Sequence, residues 1–170
     1  MAEPPRPAFY ALARGGWRDY LTLLHLPYTA WHLSYVAIGA AIAPTFSIGR
    51  LLAALAAFFL AVGVAAHALD ELQGSPLGTA IARPVLWSLA IVALAGAAAI
   101  GLAGLAVVGP GLAVFVLVGT VLVLAYNLEW FGGVIHSDNG FALAWGAFPV
   151  LCGCWAMESA LTSACIGVAI

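Results

Sequence analysis

Long apolar stretches alternate with short polar ones along the chain. Uncharged runs near 21–43, 51–69, 84–108, 112–128 and 140–157 are each long enough to carry a helix across the hydrocarbon core, which takes about 17–25 residues. The pattern therefore predicts five membrane spans. Pro44 closes the first run, and Pro84 opens the third at a tolerated first-turn position. Gly109-Pro110-Gly111 makes a tight hairpin, so the third and fourth spans are antiparallel neighbours. Pro149 is placed to kink the fifth. The apolar run after Glu158, about a dozen residues, is too short to cross as a helix. Residues 1–20 carry Pro4, Pro5, Pro7, Arg14, Arg18 and Asp19 and read as a cytoplasmic or interfacial segment. They lack the early apolar core and small-residue cleavage site of a signal peptide. Residues 21–170 form the transmembrane helical domain.

Composition agrees with the pattern. The chain is 65% hydrophobic and only 7% charged, with a mean hydropathy of +1.10. A water-soluble domain of this size would expose large apolar patches, so the sequence specifies an all-α, polytopic integral membrane bundle. Its five basic residues are all arginine and the net charge is −2, which leaves no basic face for nucleic acid. The bilayer is the one partner that composition demands. Arg6, Arg14 and Arg18 precede the first span, whereas the first hairpin carries Arg50 alone. This asymmetry predicts a cytoplasmic N-terminus, in the cell membrane, with the loops after the second and fourth spans on the same side. Cys152, Cys154 and Cys165 lie in apolar sequence without CxxC spacing and read as packing residues.

Two polar islands interrupt the apolar pattern. In the first, His67, Asp70 and Glu71 are spaced three and four apart, which puts all three on one face of a continuing helix near the membrane surface. Carboxylates are costly at this depth, so the cluster is a functional candidate. Asp70 and Glu71 offer hard oxygen ligands of the kind Mg²⁺ takes while keeping several waters. His67 suits magnesium less well and would orient a carboxylate, accept a proton or bind a softer metal. The plainer alternative is that the acids only end a helix in solvated headgroups. The second island, 129–139, contains Glu129, His136 and Asp138 and reads either as the other half of a polar cup or as a solvated turn. His25 and His32 are seven apart and share a helix face. With His67, His25 would make a bis-histidine haem or metal pair, although hydrogen bonding to neighbouring helices is the simpler reading.

A hydrophobic helix that ends in an acidic motif and is followed by Pro-Leu and a new apolar helix resembles the UbiA-type intramembrane prenyltransferases. Their first signature is NDxxDxxxD with a later arginine-proline-leucine element. Asp70 falls on the second aspartate, while Ala66, His67 and Gly74 stand where the family has asparagine, the first aspartate and the last. Ser75-Pro76-Leu77 looks like the later element with serine for arginine, and Arg83-Pro84 is an alternative match at longer spacing. Leu26-Pro27 with Trp31, His32 and Tyr35 looks like the family's opening helix, and Tyr126-Asn127-Leu128-Glu129 occupies the place of its tyrosine and lysine element. The resemblance implies transfer of an isoprenyl group from an isoprenyl diphosphate to a small or lipid acceptor. It implies Mg²⁺ on Asp70 and Glu71, catalytic positions at Asp70, Glu71 and His67, and substrate contacts from Arg83, Tyr126, Asn127 and Asp138. The family's second aspartate motif has no counterpart here, which implies either the N-terminal part of a longer bundle or a relative whose acidic motif has decayed. In the latter case the chain is a non-catalytic carrier, subunit, or metal-, haem- or lipid-binding bundle.

Overall fold

A computed structural model describes residues 8–170, and all its regular elements are helical. Besides a short 3-10 turn at Trp130–Gly133, seven helices follow in order among the described residues: α1, Trp17–Leu23; α2, Leu26–Ile42; α3, Ile48–Leu72; α4, Arg83–Val108; α5, Leu112–Asn127; α6, Asp138–Glu158; and α7, Ser163–Ala169. Of these, α3, α4 and α6 are long and apolar enough to cross a membrane, with 25, 26 and 21 residues. The apolar α5 is shorter, at 16 residues. The chain is thus an all-helical protein with three membrane-spanning candidates among its described residues.

The first apolar run does not fold as one span. It breaks between α1 and α2 at His25, whose backbone is left-handed with φ 47° and ψ 51°. The cause is Pro27, which has no N–H to donate into a preceding turn and whose ring would collide with the carbonyl four residues back. Proline is instead accommodated in the first turn of α2.

Two helices contain wide π-helical stretches, Phe59–Ala66 in α3 and Ala142–Ala147 in α6. The second directly precedes Pro149, so the expected disturbance appears as widened turns upstream of the proline. The 4–5 hairpin forms as expected at Gly109, with φ 103°.

Small residues set the tightest contact in the bundle. A Cβ built on Gly39 of α2 would overlap the main-chain carbonyl of Val150 in α6, and one on Gly153 would overlap the carbonyl of Val36. The two backbones therefore cross directly, as small residues allow in membrane helices. The main core gathers Leu23, Val62, Leu69, Leu86, Val123 and Trp145 from α1, α3, α4, α5 and α6.

The cysteines are more than packing residues. Cys154 and Cys165 form a disulfide that ties α7 to α6, with their Cα atoms 6.2 Å apart. Spacing could not reveal this, because the pair spans the turn between two helices. Cys152 is free and buried.

Arg50 organises the end of the bundle where α3 begins. Its guanidinium donates to Met157 O at 2.7 Å and Val107 O at 3.1 Å, and so caps the last turns of α6 and α4 together. The Thr45 N–H donates to the Glu158 carboxylate beside it.

Candidate functional site

The opposite end holds both polar islands, because α2 starts there, α3 ends there, α5 ends there and α6 starts there. Asp70 lies on the last turn of α3, half-buried, within electrostatic reach of His136 and Glu129 from the second island. Tyr28 of α2 and Tyr126 of α5 both lie within reach of its charge. No hydrogen bond to the Asp70 carboxylate is found among the described residues.

Its neighbour Glu71 is committed differently. The side chain is 2% exposed, and its oxygens accept from the Leu77 N–H at 2.9 Å, the Thr79 N–H at 2.7 Å and the Thr79 hydroxyl at 2.9 Å. A second buried carboxylate, Asp19 of α1, accepts from Gly15 N at 2.9 Å and from Ala80 N at 3.0 Å. Together they pin the loop between α3 and α4. Arg14 donates to the Thr79 carbonyl at 3.3 Å, and Arg83 donates to the Leu72 carbonyl at 3.1 Å and caps α3. Sequence reasoning missed Asp19 and Thr79 as partners of this loop. Nothing local pairs them with Glu71 or Ala80, which lie far along the chain or around a turn.

Histidine and aromatic rings pack beside Asp70. His67 stacks on His25 with centroids 5.0 Å apart and planes 19° apart, and Tyr28 lies 4.9 Å from His25 and 4.4 Å from His32. Tyr126 stacks on His136 at 4.4 Å and meets the edge of Trp145 at 5.3 Å, while His32 lies 5.9 Å from Trp145. Tyr28 and Trp145 were not singled out by sequence. The signal for Tyr28 was its place between His25 and His32 on the first turns of α2.

Of the other expected contacts, Asn127 is buried and donates to Val123 O of its own helix at 2.6 Å. Asp138 is exposed in the first turn of α6, within electrostatic reach of Tyr126. The structure thus gathers Asp70, His67, Tyr126 and Asp138 at one mouth, and ties Glu71, Arg83 and Asn127 to neighbouring main chain or loop.

These commitments decide which metals the residues fit. Three of the four acceptor sites on the Glu71 oxygens are taken by Leu77 and Thr79, which leaves one on Oε2 for a magnesium, whereas the Asp70 carboxylate accepts no hydrogen bond from the described residues. No group of three His, Cys, Asp or Glu side chains among the described residues is arranged to hold a metal. The near-parallel stack of His25 and His67 turns ring faces to each other, whereas two axial ligands must aim ring nitrogens at an iron between them.

Behind the mouth lies an apolar cavity of about 600 Å³. Phe58, Gly101, Phe115, Val123 and Phe148 line it, Arg50 stands at one end, and Trp145 belongs to both its wall and the ring cluster. Alanines of α3, alanines and glycines of α4, and Gly119 of α5 supply the room, because a small side chain leaves space where a leucine would fill it.

The fold and site define an all-helical membrane bundle with an apolar cavity beneath a polar, ring-lined cup. Compared with known proteins, the chain matches no family model, no curated protein and no solved structure.

Proposed function

We propose that the chain is a UbiA-like membrane prenyltransferase, which moves an isoprenyl group from an isoprenyl diphosphate to an acceptor held in the cup. One observation carries this reading. Trp145 lines the 600 Å³ apolar cavity and also edges the cup that contains Tyr126 and His32, so a lipid tail and a reacting head have adjoining places. A cavity of this size and character is typical of a site for a mainly apolar ligand. The apolar walls hold the tail and exclude water. The faces of Tyr28, Tyr126 and Trp145 are suited to an electron-poor allylic carbon, because aromatic faces attract positive charge. Asp70 contributes the carboxylate at the mouth that is not bound to the loop. Arg14, Arg18 and Arg83 at this end against Arg50 at the other favour a cytoplasmic cup and N-terminus in the cell membrane, with α2 and α5 completing a five-span bundle.

A second reading is favoured by Glu71, whose oxygens hold the loop and leave a single acceptor site for a metal. In it the bundle binds the same lipid without turning it over. The test is pyrophosphate release from an isoprenyl diphosphate by protein in nanodiscs, with and without Mg²⁺ and across a set of acceptors. Prenyl transfer predicts release that falls about a hundredfold or more in Asp70→Asn. Saturable lipid binding without release in the unaltered protein would replace it with the second reading.

A further inference from the structure

We infer that the cup takes an uncharged ligand by its hydroxyl group, the ligand O–H donating to His67 Nε2. This rests on the cup being the head-group site, but not on prenyl transfer itself.

The argument starts from the tautomers. His67 Nδ1 lies 3.2 Å from the Gly63 carbonyl, His32 Nδ1 lies 2.8 Å from the Tyr28 carbonyl, and His136 Nδ1 lies 3.2 Å from the Tyr126 carbonyl. A carbonyl only accepts, so each Nδ1 carries the hydrogen, and in the neutral form of such a ring Nε2 is a bare acceptor. His32 Nε2 is buried without a partner, and so is His25 Nδ1 on the other side of Tyr28. His67 is 5% exposed, and no hydrogen bond to its Nε2 is found among the described residues; unlike His32 Nε2 and His25 Nδ1, this nitrogen is not fully enclosed, so a ligand in the cup can reach it. The enclosed nitrogens of His32 and His25 show how short of donors this end is, and the reachable Nε2 of His67 is the acceptor that a donor from outside the chain would satisfy.

The surroundings select which donor. Asp70 adds another acceptor, and five of the six described carboxylates, Asp19, Asp70, Glu71, Glu129 and Asp138, lie at this end. The nearby Arg14 and Arg83 donate to the carbonyls of Thr79 and Leu72. An anionic group placed on His67 itself would therefore meet mostly acceptors and like charge, so this position suits the hydroxyl of an acceptor and not the diphosphate of a donor. A metal is not favoured either, since no three ligating side chains are grouped among the described residues. A neutral hydroxyl supplies the missing hydrogen at no cost in charge burial. The apolar cavity behind Trp145 gives such a molecule a place for an aliphatic tail, which makes a lipid alcohol the fitting class.

The experiment uses the full chain in nanodiscs with ¹⁵N-labelled histidine, and 1-decanol as probe against decyl methyl ether, which has no hydrogen to donate. No diphosphate is present, so the outcome is independent of the transfer assay. The expected result is a saturable shift of the His67 Nε2 resonance with the alcohol and not with the ether. In a parallel measurement, labelled 1-decanol bound in excess of protein-free nanodiscs falls about tenfold in affinity in His67→Asn, which removes the acceptor at the Nε2 position. His67→Gln, whose amide oxygen can occupy that position, retains binding. Equal responses to alcohol and ether overturn the inference, as does no shift at any concentration. A larger Nε2 shift with Zn²⁺ than with the alcohol would also overturn it, in favour of a metal.

Discussion

Gly39 and Val150 meet backbone to backbone, with the space for a Cβ on Gly39 already filled by the Val150 carbonyl oxygen. The reciprocal arrangement at Gly153 and Val36 makes this crossing of α2 and α6 a two-sided contact. Helices in lipid gain little from apolar burial alone, so close backbone approach is a principal source of their association.

Gly39→Leu is therefore expected to separate α2 from α6 and to destabilise the bundle by on the order of 3 kcal/mol, at the upper end for overpacking. Gly153→Leu should do the same, and the double variant should cost less than the sum because both break one interface. Thermal unfolding in nanodiscs measures all three. Unchanged midpoints would refute the backbone crossing.

Glu71→Ala leaves the amides of Leu77 and Thr79 without their acceptor and should cost on the order of 3 kcal/mol. The sharper readout is local. Hydrogen exchange at Leu77 and Thr79 should accelerate far more than exchange in α4, and protease should cut the loop between α3 and α4 more readily. Thr79→Val, which removes only the hydroxyl, should have a smaller effect of about 1 kcal/mol.

Asp70→Asn should leave stability within about 0.5 kcal/mol of the parent, because the carboxylate accepts no hydrogen bond from the described residues. The adjacent acids are thus predicted to separate cleanly, one affecting the ligand and the other the fold. A large loss of stability in Asp70→Asn would show that Asp70 holds structure that its surroundings do not reveal.

Arg50→Gln should uncap α4 and α6 together and cost about 1–3 kcal/mol, since a charged donor is lost from two carbonyl ends. Faster exchange confined to the last turns near Val108 and Glu158 would identify the mechanism. Exchange that rises instead at the cup end would contradict it.

Much of this organisation is legible in the sequence. The alternation of apolar runs and polar islands placed the helices, and the parity of the connections placed His67, Asp70, Tyr126 and Asp138 at one end. The break at His25 was not legible in the same way, because Leu21 to Ala43 is uncharged throughout and Pro27 is compatible with either a helix start or a kink. The role of Glu71 was hidden for another reason. Spacing put it on the face of His67, but its oxygens answer to amides of a loop whose course no periodicity fixes. Trp145 looked like one more apolar residue, and only the packing of α2 and α5 against α6 gives it two neighbourhoods.

The π-helical stretch Phe59–Ala66 has a consequence for how such a chain can change. In a regular α-helix each residue advances the azimuth by about 100°. Deleting one residue within that stretch would let α3 relax to ordinary turns, with almost no change in hydropathy. A wide turn holds about one residue more than an α turn, so the loss would be absorbed within the stretch, and His67 and Asp70 would keep nearly the same azimuth at the mouth. A single codon lost from this inward-packed stretch would thus spare the cup, whereas the same loss in the regular turns of Ile48–Phe58 would swing the cup residues by about 100° without touching one of them.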